Sequence, residues 1–274
     1  DSDLKLKFEH CLSDRGFHSK DASMLAAPSH WILPQGPVAV LLDQAKVHRV
    51  MSHPYLSALV TRQLPNPGYA LRDGLLQLLP WIAAQKPAWE KLALAVEHPA
   101  IARGAAQASG RWDADTKAFL FEHELGYLEP RTPLSLHVGT LKALGFQDEW
   151  KDRSKFCRQS MQHLRRFQRS VESGDSLHAA GALILGTELV FGEIAAQLLA
   201  ALGREGSPPS AVAPLRGRML LAQSHESELL SALQVMAGEP CGLSRIAGGG
   251  TLALDNLATL LDGLMERAWR GDQG

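Results

Sequence analysis

Four residues in this chain have the types and positions to hold a metal ion from inside a helical protein: Glu124, His137, Glu188 and His225. Carboxylate oxygens together with imidazole nitrogens suit iron or manganese. Each candidate sits among apolar helical neighbours. Glu124 has Leu120 and Phe121 one turn before it and Leu128 one turn after; His137 has Leu134, Val138 and Leu141 around it. Glu188 lies between Ile184, Leu185 and Phe191, and His225 between Leu221, Ala222 and Leu229. Residues three and four apart share a helix face, so periodicity turns all four towards a core. A lone carboxylate there costs several kcal/mol or becomes protonated. Glu124 and Glu188 therefore need a partner, which an arginine, a histidine or a metal would supply. The ordinary reading stands beside the metal one: a hydrogen-bonded core histidine at 137 or 225, and a buried glutamate–arginine pair at 188.

The elements that must position these residues are helical. "HPYLSALVTRQL" starts with proline after His53, and "TPLSLHVGTLKALG" places Thr132 as N-cap, Pro133 at the first helical position and Gly145 past the end. Asp113 or Asp115 opens "DADTKAFLFEHELGYL". "GYALRDGLLQLLPWIAAQ" has helical spacing interrupted at Pro80, and "DRSKFCRQSMQHLRRFQRSVESGD" reads as a long helix with a polar face. The most apolar stretch, Ala179 to Leu202, is long enough to span a bilayer, but Glu188, Glu193 and Gln197 interrupt it and favour a buried central helix. "GREGSPPSAVAPLRG" reads as a loop, and "GEPCGLSRIAGGG" as a connection between the last two helices. Alternating runs of Val, Ile and Thr are absent. The expected architecture is an all-α bundle of about seven or eight helices over residues 51–274. An irregular N-terminal extension, 1–50, precedes it; within it "HWILPQGPVAVLLDQA" could be an arm or a short helix.

Composition narrows the function classes. Apolar residues make up 45% of the 274, charged residues 21%, and the net charge is -1, so no field of one sign points to nucleic acid or membrane. The basic turn "RRFQR", Arg165 to Arg169, reads as a solvated helix face. Cys11, Cys157 and Cys241 are too few and too far apart for a zinc ribbon or a redox pair, and a reduced cytoplasmic setting is expected. "GGGT", Gly248 to Thr251, could receive an anion at a helix start, but lacks the lysine and strand of a P-loop.

The order of these segments resembles heme-oxygenase-like proteins, a superfamily that includes thiaminase-II-like proteins, pyrroloquinoline-quinone synthase and heme-oxygenase-like diiron oxidases and oxygenases. The diiron group carries Glu-x-Gly, a histidine some residues later and a leucine-rich run closing on Leu-Gly. Here these read "ELG" at Glu124 to Gly126, His137 and "LKALG". "AAGALILGTEL" matches the next landmark and puts Glu188 at a ligand position. The last landmark matches only in part. "HESELLSAL" supplies His225, but Leu229 and Ala232 stand where an acid and a second histidine are usual. The resemblance implies an iron- and dioxygen-dependent oxidase or oxygenase acting on a small organic substrate, with one or two irons held by Glu124, His137, Glu188 and His225. It also allows a homodimer. A metal-free protein binding an organic ligand, a cofactor-independent enzyme and a helical interaction module are the alternatives.

Overall fold

The computed structural model describes residues 36–126 and 128–271. Among them there is no strand, and eleven helices follow one another: α1 Pro37–Lys46, α2 Pro54–Thr61, α3 Pro67–Ala95, α4 Pro99–Ala108, α5 Ala114–Glu122, α6 Pro133–Ala143, α7 Arg158–Glu172, α8 Ser176–Arg204, α9 Pro209–Gln223, α10 Glu226–Ala237 and α11 Gly242–Arg270. Two short 3-10 turns, Glu149–Lys151 and Arg153–Lys155, lead into α7. Most helix starts follow from local chemistry. Proline opens α2, α3, α4 and α6, where its missing N–H has no partner to lose. His53, Asn66, His98, Asp113 and Thr132 each accept a backbone N–H of the first turn.

The expected seven or eight helices become eleven among the described residues, and three segments depart from the sequence reading. Pro80 and Pro87 do not break α3, which runs through both because α4, α6 and α7 pack along it. The expected loop at Gly203 to Gly217 becomes helix from Pro209 onward, with Pro214 in its second turn. The segment "RMLLAQSHESELLSALQVMAG", Arg218 to Gly238, has the apolar spacing of one helix but divides at Ser224 and His225 into α9 and α10. In the segment taken as an N-terminal extension, α1 packs on α10 and α11; positions 1–35, with Cys11, lie outside the described residues.

Helix α8 is the centre of the bundle, touching α2, α9 and α11 along its length, and every residue from Ala179 to Phe191 is buried. It is long and apolar enough to cross a membrane, and most of that apolar surface is covered by its neighbours. Its segment Gly181–Glu188 has π-helical winding, and the Thr187 hydroxyl donates to the Ala182 carbonyl five residues back (2.9 Å). The α8–α11 contact is built on glycine. A Cβ at Gly181 would strike the Ile246 carbonyl oxygen, and one at Gly249 the His178 carbonyl oxygen. "GGGT" is thus the interior of α11, where it lets two backbones meet; it does not open a helix, and the anion reading falls with that.

Candidate functional site

Glu188 ends the π segment of α8 and points into the protein, 6% exposed. Arg218 of α9, 3% exposed, meets it with both terminal nitrogens: Nη2 donates to Oε1 at 2.8 Å and Nη1 to Oε2 at 3.2 Å. Such a two-pronged pair is the geometry a guanidinium favours. Nη2 also donates to Oε1 of Gln85 on α3 (3.2 Å), and the guanidinium carbon lies 4.4 Å from the centre of the Phe191 ring. Gln85, Glu188, Arg218 and His225 line one small cavity of about 10 Å3, walled by Trp89 and Leu221.

His225 lies between α9 and α10, 3% exposed. Its Nδ1 is 3.0 Å from the Leu221 carbonyl, which can only accept, so Nδ1 carries the proton and donates. Nε2 is then a lone-pair acceptor, buried with no partner. Burial lowers the pKa of this imidazole, against the opposing pull of Glu188. Arg218 Nε and Gln85 Nε2 are also buried without partners. The residues lining the cavity therefore carry two unpartnered donors and one unpartnered imidazole acceptor beside a compensated ion pair. Chemically it can hold a group that accepts and donates at once, and His225 can take a proton from such a group.

His137 of α6 is fully enclosed nearby. Its Nε2 donates to the Leu75 carbonyl at 2.7 Å, and burial, assisted weakly by the Arg218 charge, lowers its pKa to about 4. Glu124 is elsewhere. Helix α5 stops at Glu122, and Glu124 adopts a left-handed conformation (φ 61°) on the surface. The N–H of Leu125 returns to the Leu120 carbonyl (2.9 Å) and that of Glu124 to Phe121 (3.1 Å), while Leu125 is buried. This is the Schellman ending, with Glu124 at the position that favours glycine. Glu124→Gly is expected to leave stability unchanged or raise it by up to about 1 kcal/mol, as read by urea unfolding. A loss of stability would mean that the carboxylate has a structural partner.

No family model matches the chain, and no curated protein sequence matches it. Solved structures do. A TenA homolog from Pseudomonas syringae pv. tomato superposes with a TM-score of 0.60 at 14% identity, over 84% of this chain and 91% of that one. A domain of unknown function from Shewanella denitrificans, described as having a heme oxygenase-like fold, gives 0.57 at 14% identity, over 86% and 92%. The chain has the heme-oxygenase-like fold. A TenA homologue from P. horikoshii agrees, at 0.54 and 17% identity, over 85% of this chain and 97% of that one. At these identities the likeness is one of fold.

Within that fold the four residues expected as ligands do not meet as one donor set. Glu188, His137 and His225 converge on the interior; Glu124 is outside it. Both Glu188 oxygens accept from Arg218, and His137 Nε2 and His225 Nδ1 each donate to a carbonyl. Leu229 and Ala232 are fully buried in α10. Among the described residues no group of three or more His, Cys, Asp and Glu side chains is placed to hold a metal ion. A cation is already present at Glu188, and a divalent ion beside Arg218 would be repelled. The residues as arranged do not fit a metal centre. Sequence reasoning missed Arg218 and Gln85, although Arg218 has Leu215, Leu221 and Ala222 as helical neighbours, the same signal that singled out Glu188.

The buried histidines give a pH dependence. His137 and His163 both have pKa values lowered by burial from 6.5 to about 4. The unfolded chain therefore binds more protons in this window, so their contribution is full above pH 6.5 and is lost as pH falls towards 4. Each histidine is expected to cost about 2 kcal/mol between pH 7 and pH 5. Glu226 acts in the opposite sense: burial raises its pKa to about 7. His163 packs edge-on against Trp81, so His163→Phe keeps an aromatic contact. The change in unfolding free energy between pH 7 and 5 should differ between wild type and His163→Phe by that amount; equal changes would mean His163 is protonated when folded.

Proposed function

We propose that this chain is a metal-independent member of the heme-oxygenase-like fold that binds a small organic ligand through a polar group placed beside the Arg218–Glu188 pair. One observation carries this: the guanidinium holds both carboxylate oxygens of Glu188, at 2.8 and 3.2 Å, where a metal would need them. The unpartnered Arg218 Nε, Gln85 Nε2 and His225 Nε2 supply the recognition. A cavity of about 10 Å3 takes about one water-sized group, so a hydroxyl fits, and a carboxamide or the rest of any ligand requires the walls to part. The test is a crystal soak with a set of small alcohols and primary amides. The expected result is a hydroxyl that accepts from Arg218 Nε and donates to His225 Nε2, or an amide whose oxygen accepts from Arg218 Nε and whose N–H donates to His225 Nε2; a fixed water in every soak would overturn the reading.

The iron- and dioxygen-dependent oxidase reading has one observation in its favour, the free Nε2 of His225 on the same cavity as Glu188. It requires Arg218 to leave Glu188. Under it, anaerobic incubation with ferrous iron would load iron that survives desalting and is lost in Glu188→Ala. Under the metal-independent reading no stoichiometric iron is retained.

A further inference from the structure

A second concavity, separate from the interior pair, runs between α3, the 3-10 turns and α7, with a volume of about 340 Å3. One wall is the outer face of α3, where Pro80, Ala83 and Pro87 follow one another at helical spacing. The other is apolar too, with Phe156 just after the second turn and Met161 and Leu164 from α7. The one charged residue among the described residues that line it is a cation. Arg153 lines the groove, is exposed, and makes no ion pair among the described residues. Helix α7 contributes Arg158, Arg165, Arg166 and Arg169, against a single acid, Glu172, at its far end. Arg165 follows Leu164 and lies one turn from Met161, so it flanks the groove. The nearby acids are engaged: Asp148 with Lys151 (2.8 Å), Glu149 with the Gln147 N–H (2.6 Å) and Asp152 with the Ser154 N–H (2.9 Å).

We propose that this groove binds an organic anion with an apolar body, a carboxylate carried on an aromatic or aliphatic chain. The apolar walls take the body, and Arg153 takes the charge. At about 340 Å3 the groove lies at the lower end of the range for small-molecule pockets, about 300–1,000 Å3. Such a site, mostly apolar with few polar groups, is the usual form of a small-molecule pocket.

The probe is 4-phenylbutyrate, titrated by calorimetry and compared with 4-phenylbutan-1-ol, which has the body without the charge, and with acetate, which has the charge without the body. Wild type should bind phenylbutyrate saturably, the alcohol about fivefold more weakly, and acetate not at all. Arg153→Ala should bring phenylbutyrate down to the level of the alcohol. Ala83→Trp fills the groove from an exposed position and should abolish both, with unchanged circular dichroism showing that the fold is intact. His225→Phe, which alters only the interior cavity, should change nothing here, so failure at this groove is distinguishable from failure of the interior reading. Non-saturable binding to wild type, binding that survives Ala83→Trp, or equal binding of acid and alcohol overturns the proposal.

Discussion

Arg218→Ala is expected to cost about 3–5 kcal/mol of unfolding free energy, because it leaves the Glu188 carboxylate buried without a counter-charge. A domain of this kind has only about 5–15 kcal/mol in hand, so the variant should unfold at much lower urea or fail to accumulate. The loss is not the net worth of the ion pair. Bringing two charges out of water nearly cancels their attraction, and what remains after one partner is removed is mostly an uncompensated desolvation cost. The double variant Arg218→Met with Glu188→Leu removes both charges and fills similar volume, and it should lie within about 1 kcal/mol of wild type or above it. Urea unfolding of the single and double variants measures both. A cost below about 1 kcal/mol for Arg218→Ala would show that Glu188 has another source of compensation. The Phe191 ring, 4.4 Å from the guanidinium carbon, adds a smaller term that the methionine retains in part.

The second large effect is at the α8–α11 contact, where neighbouring glycines should respond with opposite signs. Glycine inside a helix is worse than alanine by about 1 kcal/mol, so Gly248→Ala, with His178 Nδ1 at an ordinary 3.8 Å from the new carbon, should stabilise by up to that amount. Gly249→Ala drives the same methyl into the His178 carbonyl oxygen, with the Ala182 nitrogen at 3.1 Å. Both are backbone atoms of α8 and cannot rotate away, so the helices must separate. The expected cost is about 3 kcal/mol or more, the upper end for overpacking. Gly181→Ala, meeting the Ile246 carbonyl oxygen from the other side, should behave like Gly249→Ala. If Gly249→Ala proved as stable as Gly248→Ala, the two helices would not be in backbone contact.

Much of the fold is legible in the sequence because helix starts are written in single residues: proline at 54, 67, 99 and 133, and a capping side chain just before each. The prolines at 80, 87 and 214 are not readable in this way, since whether a proline breaks a helix depends on the neighbours that hold it. The triple glycine is a packing surface whose meaning lies in the opposite helix. In the site, Glu188 and His225 are legible as polar groups on apolar faces. Glu124 is not, because periodicity assumes a helix that here has ended two residues earlier in a left-handed turn. Arg218 carries the same sequence signal as Glu188. A buried carboxylate demands a partner, and asking which cation sits on a comparably apolar face would have led from one to the other.

The central claim is that Arg218, and not a metal, completes Glu188. An anaerobic crystal soak in ferrous iron, with anomalous data at the iron edge, tests it most directly. The predicted result is no anomalous peak within ligand distance of Glu188 and a guanidinium still gripping both of its oxygens. A peak about 2.0–2.2 Å from a Glu188 oxygen and from His225 Nε2, with Arg218 swung away, would contradict it.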